Sequence, residues 1–169
     1  IGTEQAAPII LDGLSKLEYR GYDSAGMAIF DGEKINTRKA VGRLKVLENL
    51  THGGENMKGT SGIGHTRWAT HGAPSDINSH PHMNNAGTIA VVHNGIIENF
   101  ADLREELQAA GHSFTSDTDT EVVPHLIEQA LRDGAPDLLS AVRAASERLV
   151  GAYALAVVSA DEPGTIVAT

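Results

Sequence analysis

The order of apolar patterns along this chain predicts an α+β fold with antiparallel sheets and helices on their outer faces. Strand-like segments occur as hairpins, helix-like segments come in adjacent pairs, and strict strand–helix–strand alternation is missing. At 169 residues and 17.8 kDa the chain is long enough to bury a substantial core in one domain. Its 41% hydrophobic and 21% charged residues are ordinary for a globular protein.

Taken in order, residues 4–18 place Ile10, Leu14 and Leu17 at helical spacing, with Gly21 as a stop. Two strands, 25–30 and 33–40, flank Asp31-Gly32, a strong tight-hairpin signal. A short helix carries Leu44, Leu47 and Leu50, and HGGENMKG after it reads as a flexible loop. Residues 61–67 and 88–93 read as core strands. The aperiodic stretch 72–87 between them is long enough to suggest a functional loop. Helix 99–110 turns Phe100, Leu103 and Leu107 inward and stops at Gly111. Thr118–Glu121 has the pattern of a capping box ahead of a helix bearing Val123, Ile127 and Leu131. Pro136 opens a further helix to about Leu149, and the strands AYALAVVS and TIVAT follow around the turn DEPG.

The net charge of −9, without basic runs or a basic helix face, argues against nucleic-acid and anionic-membrane partners. No apolar stretch approaches the length of a membrane span, and IGTEQAAP lacks the regions of a signal peptide, so a cytoplasmic location is expected. The cysteine count is zero, which removes disulfides, thiolate metal ligands and any thiol nucleophile from these residues.

The densest chemistry lies in Gly64–Gly72, GHTRWATHG. It sets Arg67, Trp68, two hydroxyls (Thr66, Thr70) and two imidazoles (His65, His71) between glycines. Arginine forks onto carboxylates, threonine and histidine orient small polar ligands, and glycine admits close backbone approach. A solvated surface loop is the alternative for this stretch alone. His93-Asn94-Gly95 follows the strand TIAVV. It reads either as a turn or as a side-chain amide and backbone N–H aimed at one point, the two donors an oxyanion hole needs. Asp119, within Ser116–Glu121, either caps a helix or receives a ligand ammonium. Arg20 and Asp23, in YRGYDSAG, are candidates to pair and brace a loop. His65, His71, His80, His82 and His93 fall within thirty residues, but their spacing matches no ligand motif, so no metal or other cofactor is expected. Arg67 and Asp119 offer opposite charges for the carboxylate and ammonium of one amino acid, and Asn94 and Gly95 offer donors for a carbonyl becoming tetrahedral. If the fold unites them, they form an amino-acid acyl-transfer site.

YRGYDSAG, GHTRWATHG, HNGIIEN and SDTDTEV, in this order and at these distances, resemble the glutaminase domain of the class II (N-terminal nucleophile) glutamine amidotransferases. The resemblance covers practically the whole chain, residues 1–169. Relatives acting on phosphoribosyl pyrophosphate or aspartate share the Arg-Gly-x-Asp and Asn-Gly elements, whereas TRWATHG points to the branch acting on fructose 6-phosphate. The resemblance implies a four-layer αββα sandwich of the N-terminal nucleophile hydrolase type. It implies that Arg67 holds the glutamine α-carboxylate and Asp119 its α-ammonium, with Thr70 and His71 lining the same pocket. Asn94 and the Gly95 N–H would form the oxyanion hole, and Trp68 would stand where ammonia leaves. Residues 72–82 would close over glutamine and exclude water. The ammonia would serve conversion of fructose 6-phosphate to glucosamine 6-phosphate.

The family's mature chain begins Cys-Gly-Ile-Val-Gly, and that cysteine is the nucleophile, its free α-amine the proton acceptor. Here Ile1-Gly2 matches the family just past that strand, so the first strand and the nucleophile are not among these residues, nor are the sugar-isomerase domains that would bind fructose 6-phosphate. Either the first residues lie outside this sequence, the expectation favoured here, or the chain is a truncated, inactive fragment that can at most bind glutamine. The parent is expected to be a homodimer and this fragment a monomer.

Overall fold

A computed structural model describes residues 1–169. Near its start, helix α1 (Ala6–Leu17) runs into a single 3-10 turn, Glu18–Arg20, which ends at Gly21. Strands β1 (Ser24–Phe30) and β2 (Ile35–Val41) form the expected hairpin. Its connection is the four residues 31–34 rather than a tight two-residue turn. Asp31 sets that length, because its Oδ1 accepts the N–H groups of Glu33 and Lys34 at 2.8 and 2.9 Å. Helix α2 (Leu44–Leu50) follows, and β3 (Ser61–Arg67) pairs with the other side of β1, giving the antiparallel order β2-β1-β3.

The second sheet has the order β4-β5-β6-β7, built from β4 (His82–Met83), β5 (Ile89–Ile97), β6 (Gly151–Ser159) and β7 (Ile166–Ala168), all antiparallel. Between β5 and β6 the chain forms α3 (Phe100–Ala109), α4 (Val122–Arg132) and α5 (Leu138–Ser146).

Strand alternation assigns the layers. Ala25, Met27 and Ile29 of β1 pack with Leu11 and Leu14 of α1 and Leu47 of α2. The intervening Ala28 joins Ile63, Ala90, Val92 and Val158 between the two sheets. On the far side, Ile89, Val91, Leu155 and Val157 meet Leu103, Val123, Ile127 and Val142 of the three later helices. The result is an αββα sandwich, as expected.

Local readings differ in several places. Leu17 and Leu50 keep the helical period but are exposed, because each lies off the stripe that faces the sheet. HGGENMKG is no free loop. A 3-10 turn at His52–Gly54 returns the chain so that Met57 is buried against α1 and α2, a burial that contributes roughly 1.5–3 kcal/mol. The α4 capping box does not form. The Glu121 carboxylate accepts the N–H groups of Thr115 and Ser116 at 2.9 and 2.7 Å, reaching back along the chain. Helix α5 is started by Asp137, whose Oδ1 accepts the Ser140 N–H at 2.7 Å, rather than by Pro136. No helix is long and apolar enough to cross a membrane.

Candidate active site

The two sheets present their chemistry to one cavity of about 340 Å³. Arg67 at the end of β3, with Trp68 and Thr70 just beyond it, contributes to the lining. So do Asn94 and Gly95 of β5, and Thr118, Asp119 and Thr120 ahead of α4. His65, His80 and His93 complete the polar part.

Asn94-Gly95 is not a turn. The two residues lie inside β5, opposite Ala154 and Tyr153 of β6, and the strand continues to Ile97. Gly95 nevertheless has φ +130°, and a Cβ built there would lie 2.2 Å from the Ala152 carbonyl oxygen. Only glycine holds that backbone in a paired strand. The exposed Asn94, Gly95 and Ile96 interrupt an otherwise buried strand at the cavity.

Arg67 is 4% exposed. Its Nη2 donates to the carbonyls of His71 and Gly72, the latter at 3.0 Å. Its Nη1 is buried without a partner. A buried guanidinium donor left unpaired costs free energy that an anionic ligand would recover. Burial pulls the Arg67 pKa down, and the nearby carboxylates of Asp23 and Asp119 counter that pull.

Asp119 is equally buried. Its Oδ2 accepts the N–H of Ile97 at 2.9 Å and lies 3.9 Å from His71 Nδ1. Asp119 is therefore an anchored anion in the cavity lining and not a helix cap. His71 stands behind it, half-buried and edge-on to Phe100 at 5.3 Å, outside the lining. Trp68 is 61% exposed, with Tyr22 packed against it at 5.5 Å. Asp23 does not pair with Arg20. It accepts the Ala69 N–H and the Ser24 hydroxyl, the latter at 2.9 Å, and so braces the Trp68–Thr70 turn directly.

The stretch 72–82 is tied down along much of its length. Val41 N–H donates to Asp76 at 2.9 Å, Lys39 Nζ to the Ile77 carbonyl at 3.0 Å, and Asp117 N–H to Asn78 at 3.0 Å. His80 and His82 are buried in the interior. Four histidines gather there, with ring centroids 4.5 Å apart for His65–His80, 5.1 Å for His80–His82 and 6.2 Å for His80–His93. His71, the fifth of the sequence cluster, is not among them. Burial pushes all four pKa values down, that of His65 to about 4, so the rings are neutral near pH 7. His93 is oriented by Thr120, Nδ1 to Oγ1 at 2.8 Å, and its Nε2 is buried and unpartnered.

Sequence reasoning missed three supports of this site: the Asp23 brace on Ala69, the Ile97 N–H on Asp119, and Thr120 on His93. Only Asp23 carried a signal, through its place in YRGYDSAG. The other two depend on how the loop ahead of α4 meets β5 in space.

The family described as glutamine amidotransferase domain matches residues 65–169. A glutamine–fructose-6-phosphate aminotransferase (isomerizing) from Clostridium tetani is 58% identical over 168 residues, 99% of this chain and 27% of that protein. The protein of the same description from Thermococcus kodakarensis is 55% identical over 164 residues, 96% of this chain and 27% of its own. The chain thus spans about a quarter of the length of these relatives. The solved glutamine phosphoribosylpyrophosphate amidotransferase from B. subtilis, complexed with ADP and GMP, superposes with a TM-score of 0.78 at 33% identity, covering 94% of this chain and 34% of that one. With a family match over more than half its length and a fold shared with that solved amidotransferase, the chain belongs to the glutamine amidotransferase domain family.

Proposed function

We propose that this chain is the glutamine-hydrolysing domain of a glutamine–fructose-6-phosphate aminotransferase and delivers ammonia for making glucosamine 6-phosphate. The observation that carries this reading is a pair of buried opposite charges in one cavity, the Arg67 guanidinium with Nη1 unpartnered and the anchored Asp119 carboxylate. Free glutamine offers the complementary pair, an α-carboxylate for Arg67 and an α-ammonium for Asp119. Its carboxamide carbonyl then reaches Asn94 and Gly95, where the Asn94 amide and the Gly95 N–H would stabilise the oxyanion. Thr70 completes the pocket, His71 supports Asp119 from behind, and Trp68 stands at the exposed rim where ammonia would leave. Any closure by residues 72–82 would centre on the part nearest Thr70.

Amide hydrolysis of this type begins when a thiolate attacks the carboxamide carbon. Collapse of the tetrahedral adduct expels ammonia, and water then cleaves the thioester to glutamate. No cysteine occurs among these 169 residues, so the thiolate is not theirs to supply. That observation favours a narrower role for the chain taken alone: it binds glutamine without turning it over. A cytoplasmic location, amino-sugar synthesis, assembly of the parent as a dimer and a monomeric state for this chain belong to the same proposal.

Calorimetric titration of the chain with glutamine tests it. Saturable binding by the wild-type chain, lost on Arg67→Ala and absent for glutaramate, which lacks the ammonium, is expected. A folded chain that ignores glutamine, or an Arg67→Ala variant that binds it unchanged, would overturn the assignment.

A further inference from the structure

A second polar cluster lies away from the amino-acid cavity, where the turn after α3 meets α4. His112, His125 and Glu128 bring one ligand atom each to within 4.8 Å of one another, and all three residues are buried. His125, fully buried, has neither ring nitrogen hydrogen-bonded, and Glu128 Oε2 is also buried and unpartnered.

The surrounding bonds fix which atoms are free. Gln129 Nε2 donates to Asp133 Oδ1 at 2.9 Å, so its Oε1 is the atom 3.2 Å from His112 Nε2. An acceptor there makes His112 Nε2 the N–H nitrogen, and the neutral ring then carries its lone pair on Nδ1. That lone pair faces Glu128 Oε2 at 3.6 Å. Arg132 Nη2 holds the other carboxylate oxygen, Oε1, at 2.5 Å. Two lone-pair atoms thus point at each other beside an imidazole with no partner. Burial also pushes the His125 pKa down to about 4, which keeps that ring neutral.

We propose that His112, His125 and Glu128 form a binding site for one divalent cation of the zinc class. Two imidazoles and one carboxylate suit that ion, leaving a fourth position for solvent. The neighbours match what metal-ligating side chains require, since Gln129 accepts the remote N–H of His112 and Arg132 orients Glu128. Tetrahedral ligands bonded at about 2.05 Å sit about 3.4 Å apart, close to the 3.6 Å between His112 Nδ1 and Glu128 Oε2, so the ion would mainly draw in His125. His125 and Glu128 are one turn apart on α4, and His112 follows α3. The ion would therefore clamp the α3–α4 connection, which also carries Thr118, Asp119 and Thr120 of the amino-acid cavity.

The test strips the purified chain with a chelator and titrates it with zinc, and separately with cobalt(II). Expected are one equivalent bound with micromolar or tighter affinity, the visible absorption of four-coordinate cobalt, and a Tm that rises with zinc. On the wild-type chain, long-range proton–nitrogen spectra should show His112 and His125 ring resonances moving on zinc addition. Glu128→Gln, which keeps volume, and His112→Asn should each weaken binding at least tenfold, whereas Arg67→Ala should bind zinc as wild type does. A folded wild-type chain that takes up no zinc would overturn the proposal. So would zinc that moves His65, His80 and His93 instead, or that binds both ligand variants unchanged.

Discussion

The Asp119 carboxylate accepts the backbone N–H of Ile97 at 2.9 Å, so the strand that carries Asn94 and Gly95 also fixes the acid across the cavity from it. In the proposed binding mode, the groups offered to the ammonium and to the carboxamide of glutamine are thereby tied to one strand. Asp119→Asn keeps an acceptor for Ile97 but loses the charge offered to an ammonium. Hydrogen bonds to charged groups are worth about 1.5–3 kcal/mol, so glutamine affinity should fall roughly 10- to 100-fold with little loss of stability. Titration calorimetry alongside thermal melting separates the two, and unchanged affinity would remove Asp119 from the site.

Asp23 acts one step further out. Its carboxylate accepts the Ala69 N–H and the Ser24 hydroxyl, holding the turn between Arg67 and Thr70, and its charge supports the Arg67 cation. Asp23→Ala should lower the unfolding free energy by about 1.5–3 kcal/mol and weaken glutamine binding, whereas Asp23→Asn, still an acceptor, should recover part of both. Urea unfolding of the two variants checks this. Equal stability of Asp23→Ala and wild type would show that the brace contributes nothing.

Much of this was legible in the residues because the signals were local. The α1 stripe apart from Leu17, the existence of the hairpin around Asp31-Gly32 and the α3 stop at Gly111 lie where their patterns point. What failed depended on distant partners. Asn-Gly ends a strand in isolation, but here β6 supplies a ladder through Ala154 and Tyr153 and carries β5 on to Ile97. Glu121 has the spacing of a capping residue, yet Thr115 and Ser116 claim its carboxylate. Asp23 faces Ala69 across 46 positions, and no period in the sequence encodes that meeting. Arg67, Asp119, Asn94 and Gly95 could be read as a set through their chemistry and through the family resemblance, and the two facing sheets with the loop ahead of α4 then bring them to one cavity.

Gly95 and Asn94 are adjacent and should separate stability from chemistry. A Cβ at Gly95 meets the Ala152 carbonyl oxygen at 2.2 Å in a backbone with φ +130°, and main chain cannot yield as a side chain does. Gly95→Ala should cost about 1–3 kcal/mol or more of stability. Asn94 is exposed at the cavity, so Asn94→Ala should change stability by no more than about 0.5 kcal/mol. In the complete enzyme, kcat for glutamine hydrolysis by Asn94→Ala should fall by on the order of 10²–10³. Wild-type turnover in that variant would end its role as an oxyanion donor.

The buried histidines in and beside the cavity lining set an acid limit. In the folded chain His65 titrates at about 4, against about 6.5 when unfolded, because burial disfavours its charged form and His93 and Arg67 add repulsion. His80 and His82 are shifted the same way, with Arg67, Lys39 and their neighbouring rings acting on them. Between these values the unfolded chain binds protons that the folded chain refuses, so stability rises with pH there and is lost as pH falls from about 6.5 towards 4. Each such histidine contributes about 1.4 kcal/mol per pH unit within its window. Urea midpoints should therefore be nearly level close to pH 7 and drop steeply from pH 6 to 5. His65→Gln should remove about one proton from the uptake that accompanies unfolding at pH 5. A midpoint independent of pH over that range would mean that the imidazoles gain water or a counter-charge on acidification, and are not held neutral by the packing between the two sheets.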